Sequence, residues 1–421
     1  MISPMHDRMM DQSRNSVPAM PSRHGIDLDR SRAIAAAIGR AIKGDPQPSP
    51  ERWQAIGQAL MQGDPLMDDV VAWLYDDTTS HSRGEKRAQF QTAVDAGIDT
   101  IAEPAPALHA LFAHVGTRPA WVDDTLLERG ARVSHRSGMA GLHILRDVAL
   151  MGGYQAAAIN KTLVATGSLE RGAQRRLAET TSWWLDCTGV GALERFGAGF
   201  RNTLNVRFIH ALIRRGVQDK PDWRSQDWGL PVNQTDMAST QLGFSVIFLL
   251  GTRVVGVPIS RADGHAVMHL WRFIGWLMGV DERWLAEDEQ DGRRLLYALL
   301  LSQAPPDESS RQLGRALMNE PLARPYPNFA KLRARYIQAR ANSITRLFVG
   351  RRGMRDLGLP VWMPPWYPAL AAPRNIIYHT GARLLPGGLR RAERAGRQAQ
   401  IDQLHALFPD RTPGIHRPVL S

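Results

Sequence analysis

The chain has 421 residues, 43% hydrophobic and 22% charged, which excludes a wholly disordered polypeptide and allows one large core or a few smaller ones. Lys and Arg total 52 against 41 Asp and Glu, a net charge of +11, and the single cysteine is Cys187. One cysteine excludes a disulfide framework, thiolate-bound zinc, iron–sulfur clusters and a covalent CxxCH haem attachment.

In chain order, residues 1–28 are rich in Met, Ser, Pro and charge and read as a flexible tail without the apolar run of a secretory signal. Asp29–Lys43 alternates Ala and Ile with basic residues at helical spacing, which predicts an amphipathic helix packed on the body, with a membrane-surface helix as the alternative. Residues 29–117 form a helical N-terminal part, with patterns from Glu51 to Ile101 interrupted at GDP and DDTTS. From Ala120 to Val349 the apolar spacing is dominantly 3.6, and residues 118–350 are expected to form the catalytic part. Within it, the glycines of Asp186–Phe200 predict a bend between helices, and WGLPVNQ at 228–234 predicts a turn followed by a helix through Thr240 and Phe244. The longest uncharged apolar stretch, Gln241–Thr252, falls short of the roughly twenty residues of a bilayer span and reads as buried core. Residues 351–421 form a Pro-, aromatic- and Arg-rich extension expected to pack on the domain. The fold class is all-α: a single large helical domain with decorated ends.

Three constellations could carry chemistry. On the helix predicted at Asn205–Arg215, Arg207, His210 and Arg214 share one face, extended backwards by Thr203. A histidine between two same-face arginines fits an anionic ligand, either a phosphate or a haem whose iron takes the imidazole and whose propionates take the guanidiniums. Its plain alternative is a satisfied core histidine. In the second, Arg176 and Thr180 share a face at i and i+4, with Glu179 placed to pair with Arg176 as an ordinary surface bridge. The third, His265 and His269, could grip one metal, but no Glu stands between them as in HExxH, and two half-exposed helical histidines are the plainer reading. There is no GxSxG or P-loop motif, and no zinc-finger or RNA-binding signature that would point to nucleic acid.

The runs RRLAETTSWW, GALERFGAGFRNTLNVRFIHALIRRG and WGLPVNQTDMASTQLGF resemble the latex-clearing protein (rubber oxygenase) and MpaB-type oxygenase family over about Arg118 to Ala323. The resemblance implies an all-α oxidoreductase that binds haem b and uses dioxygen to cleave a carbon–carbon double bond of a lipophilic, isoprenoid substrate. It makes His210 the axial iron ligand, Arg214 a cofactor-binding residue and Arg176 and Thr180 part of the distal haem pocket; Arg207, on the same face as His210, is the further expected cofactor-binding residue, and Glu179 joins Arg176 and Thr180 as the expected catalytic group. Two positions depart from the family: Glu179 replaces a distal Lys, and Asn160, beside Lys161, replaces a Glu. Two other readings stay open: a haem or lipid carrier or sensor, and a non-haem metal enzyme using His265 and His269. The expected setting is cytoplasmic, with a small lipophilic molecule rather than solid rubber as substrate, and the basic charge allows peripheral contact with a membrane.

Overall fold

A computed structural model describes residues 20–167 and 172–408. Among them every regular element is helical. The N-terminal part contains α1 (Leu28–Arg40), α2 (Pro50–Ala59), α3 (Pro65–Leu74), α4 (Arg83–Ala96) and α5 (Pro106–Gly116). Local chemistry starts these helices. Ser49 and Asp64 each cap a helix whose first residue is proline, and Ser82 with Glu85 closes a capping box on α4. The amphipathic α1 lies against the body and buries Ala35 and Ile38, while Arg293 donates to its C-terminal Ala41 carbonyl at 3.0 Å. That is the packed helix expected at Asp29–Lys43.

Of the expected tail, residues 20–28 are described, and they pack on the body. Residues 1–19 lie outside the described residues, but Arg23 is buried and pairs with Asp236 at 2.6 Å, so the chain is anchored well before residue 28.

The centre holds α6 (Asp124–Arg136), α7 (Gly138–Ile144), α8 (Ala157–Ala165), α9 (Ala173–Cys187), α10 (Ala198–Gln218), α11 (Gln234–Leu242), α12 (Phe248–Val254), α13 (Arg261–Leu277), α14 (Glu289–Leu301) and α15 (Glu308–Asn319). The glycine-punctuated bend falls between α9 and α10, and Asn233 caps α11 directly after the WGLPVN turn. Two π-helical stretches, Leu145–Leu150 after α7 and Gly243–Ile247 between α11 and α12, pack against each other. Such stretches insert one extra residue and are frequent at functional sites. The run Gln234–Val254 is long and apolar enough to cross a bilayer, yet 56% of its most apolar window is buried inside the protein. It is the core segment the sequence suggested.

Helices α6 and α13 cross at Gly130, where a Cβ would stand 2.5 Å from the Ala266 carbonyl oxygen, so a hydrogen at this position sets how closely the two backbones approach.

The chain closes with α16 (Ala330–Asp356), broken at Gly350, then α17 (Trp366–Leu384) and α18 (Gly388–Leu407). The last helix is integral to the fold: Gln400 is fully buried and donates to the Ser134 and Gly138 carbonyls at 2.9 and 3.2 Å. One buried apolar cluster runs from Ala35 to Leu404 and includes Trp183, Trp184 and Trp271.

Candidate functional site

Helices α9 and α10 lie antiparallel. Trp183 Nε1 donates to Thr203 Oγ1 at 3.2 Å, the Cys187 thiol meets the same hydroxyl at 3.3 Å, and Asn202 donates to Asp186 at 2.6 Å. Seven residues back along α9 from Trp183 is Arg176, and seven residues on along α10 from Thr203 is His210. Seven residues are about two helical turns, so both side chains come to the same level of the helix pair.

His210 has no hydrogen-bond partner among the described residues, and its Nδ1 is fully buried. Burial lowers its pKa from 6.5 to about 4, with Arg214 adding to the effect and Asp64 opposing it. The ring is therefore a neutral imidazole at neutral pH, and Nε2 keeps a free lone pair or proton. Arg176 is equally uncompensated. Its Nη1 is buried without a partner, and it has no acidic counter-ion among the described residues. Its guanidinium lies over the Tyr154 ring at 5.1 Å, and desolvation lowers its pKa to about 10.

Tyr154 hydroxyl and Asn160 Oδ1 are also buried and unpartnered. Asn160 reaches the same corner from α8, donating to the Tyr154 carbonyl at 2.7 Å and to Ser310 Oγ at 3.2 Å. Buried polar atoms without partners are costly and rare, and a group of them on adjacent elements calls for a ligand or ordered water. Thr180, one turn after Arg176 on the same face, makes no hydrogen bond from its hydroxyl within the described residues. Phe244, in the second π stretch, lies edge-on to Trp183 with 5.4 Å between centroids, two turns of α9 from Arg176.

The other expected residues are placed differently. Arg207 does not face an open ligand site: it is 2% exposed and forms a two-pronged ion pair with Asp64 of the α3 cap, at 2.6 and 2.7 Å. Gly279 permits this packing, since a Cβ there would stand 2.3 Å from Asp64 Oδ2. Arg214 is held by Asp68 and by the Val232 carbonyl at 2.8 Å, leaving its Nε buried and unpartnered. The two arginines flanking His210 are thus answered by two acids one turn apart on α3. Glu179 does not pair with Arg176. It takes Arg175, at i−4, at 2.9 Å on a partly exposed face.

His265 and His269 do not form a metal grip. His269 Nε2 accepts the Asp123 backbone N–H at 2.9 Å while His265 is exposed, and no group of three or more metal-ligating side chains occurs among the described residues. Asp64, Asp68 and Tyr154 were not singled out from the sequence. The acids sit in an ordinary-looking DPLMDD cap, and nothing in GGYQ marks its tyrosine.

Comparisons with known proteins give the family and the fold. The model of the ER-bound oxygenase mpaB/B′/rubber oxygenase catalytic domain matches residues 140–386, which hold His210, Arg176, Thr180, Tyr154 and Asn160. The rubber oxygenase of Streptomyces sp. (strain K30) is 24% identical over 182 residues, covering 42% of this chain and 44% of that protein, so the alignment spans less than half the relative's length. A solved structure of latex clearing protein in the closed state superposes with a TM-score of 0.60 at 19% identity, covering 82% of this chain and 91% of that one. The all-α architecture is that of latex clearing protein, and the chain belongs to the mpaB/rubber oxygenase catalytic-domain family.

Proposed function

We propose that the chain is a haem b-dependent oxygenase that uses dioxygen to oxidise or cleave a C=C bond of a lipophilic, isoprenoid-type substrate. One observation carries this reading: helical spacing puts at the same level of α9 and α10 a neutral imidazole and a largely buried guanidinium, neither with a partner for its buried nitrogen nor, for the guanidinium, a counter-ion among the described residues. These are the two kinds of group that a haem needs, a nitrogen donor for iron and a cation for carboxylates. The residues therefore fit the cofactor. His210 would hold the iron. Arg176 would meet an anionic group, either a propionate or charge developing on oxygen. Arg207 and Arg214, occupied by Asp64 and Asp68, keep the His210 helix in place rather than reaching a ligand.

When bound, the haem supplies redox activation of dioxygen; cleavage of an alkene consumes one O₂ and leaves two carbonyl groups. The chain's own part is to bind, orient and exclude water. Thr180 and Tyr154 offer hydroxyl donors, and Asn160 offers an amide that orients without exchanging a proton. Phe244 and the half-buried Val206, one turn before His210, favour an apolar substrate.

A second reading, a haem or lipid carrier or sensor, is favoured by one feature. Glu179 is tied to Arg175, and Asn160 is not an acid, so proton-handling groups are sparse at the site.

The test is the visible spectrum of purified wild type and His210→Ala after haem supplementation and dithionite reduction. A Soret band lost or shifted in the variant supports the reading, and a wild type that gains no band overturns it. Carbonyl products from a prenylated lipid under dioxygen separate enzyme from carrier.

A further inference from the structure

A cavity of about 420 Å³ lies between α7, α17 and α18, and none of its lining residues belongs to the site around His210. Its size falls in the range of small-molecule sites. Much of its wall is small or apolar, including Ala140, Ile144, Val255, Ala371 and Ala399. Besides the phenols Tyr367 and Tyr378, its ionisable groups are nitrogen groups, Arg136, His143, Arg374 and His379, with no Asp or Glu. Arg136 is already paired with Asp263 and Glu393. Arg374 is exposed and has no counter-ion among the described residues.

His143 is the unexplained member. It is 8% exposed, and its Nε2 is buried with no hydrogen-bond partner. Its ring packs edge-on to Tyr367, over which Arg340 lies at 5.8 Å with its own Nε buried and unpartnered. Burial is the main cause that pushes the His143 pKa well below 6.5, and Arg340, Arg146, Arg324 and Arg374 add to it. Asp147 and Glu320 pair with Arg146 and Arg324, and Asp147 also acts on Arg340 from a distance, which leaves Arg374 without an ion pair among the described residues. An apolar cavity lined by an unpartnered imidazole nitrogen and by the Arg374 guanidinium is complementary to an acid carried on a hydrocarbon chain. The outer side of α17 continues the apolar character, with Leu370, Ile377 and Leu384 all more than half exposed.

We propose that this cavity binds a single-chain anionic amphiphile, its acid group on His143 and Arg374 and its chain along the alanines of α17 and α18. The chemistry is shared by a free fatty acid and by a lipid drawn from a bilayer.

The experiment is calorimetric titration of the full-length protein with laurate below its micelle concentration, with dodecanol in parallel, and with phosphatidylglycerol vesicles as a separate arm. The expected result is one laurate per chain and at least about tenfold weaker dodecanol binding, the worth of a charge-assisted hydrogen bond. His143→Phe should lose about tenfold for laurate and nothing for dodecanol. Filling the cavity with Ala140→Leu and Ala399→Leu should abolish both. His210→Ala should bind laurate as wild type does, which separates this proposal from the haem reading. Equal affinity for laurate and dodecanol in the wild type overturns the proposal without recourse to any variant. So does binding to vesicles alone, or undiminished laurate binding in a folded, cavity-filled variant.

Discussion

Arg176→Met should make the ligand-free protein more stable and a poorer binder. The guanidinium is held charged in a place that lowers its pKa from 12.5 to about 10 by desolvation alone. At about 1.4 kcal/mol per pH unit, keeping that charge at neutral pH costs roughly 3 kcal/mol. The cation–π contact with Tyr154 returns about 1 kcal/mol of that. Methionine keeps most of the buried stem and removes the charge, so the expected net gain is about 1–2 kcal/mol. Urea unfolding of both proteins without haem would show it as a rise in midpoint at unchanged m-value. The same variant should retain haem less well than wild type, because its cation is gone. A Met variant less stable by more than about 1 kcal/mol would refute the reasoning, since it would mean that the guanidinium has a structural partner and that the site is not built around an absent anion.

Asp64→Ala leaves Arg207 buried and unpaired and removes a helix cap, which should cost about 3–5 kcal/mol in urea unfolding; Asp64→Leu with Arg207→Met should recover most of it. The His210 imidazole titrates near 4 in the folded protein against 6.5 in the unfolded chain, so the unfolded state takes up protons first. Its stability contribution is complete above about pH 6.5 and is lost as pH falls towards 4; comparing urea midpoints at pH 7.5 and 5, His210→Phe should show a smaller drop than wild type, and an equal drop would contradict the burial of the ring. Gly130→Ala should cost at least about 2 kcal/mol in thermal or urea unfolding, because its Cβ meets the backbone of α13 rather than a movable side chain.

Much of this architecture was legible before any coordinates. Apolar spacing of 3.6 gave α9, α10 and α13, glycines marked the bend before α10, and the row through Thr203, Arg207, His210 and Arg214 lies on one face as the periodicity required. What escaped was long-range. Two arginines beside a histidine looked like a field awaiting an anion, but their counter-ions stand 143 and 146 residues earlier, and no periodicity links such positions. Arg176, which looked like half of a surface bridge, has no ion pair among the described residues, because Glu179 had two arginines within helical reach and took Arg175. The π stretches were hidden for a different reason. An added residue in a continuously apolar run changes hydrogen bonding without breaking the hydrophobic pattern.

The acids of α3 also mark where homology and folding part company. The family's shared segment begins at residue 140, while Asp64 and Asp68 lie far upstream of it and Leu404 of the common core lies beyond its end at 386. A protein trimmed to the shared segment would keep every residue proposed to touch haem and would lose both counter-charges of the histidine-bearing helix. The portion that carries the chemistry is therefore not an autonomous module, and grafting it into another scaffold would require transplanting an electrostatic support from sequence that the family match does not reach.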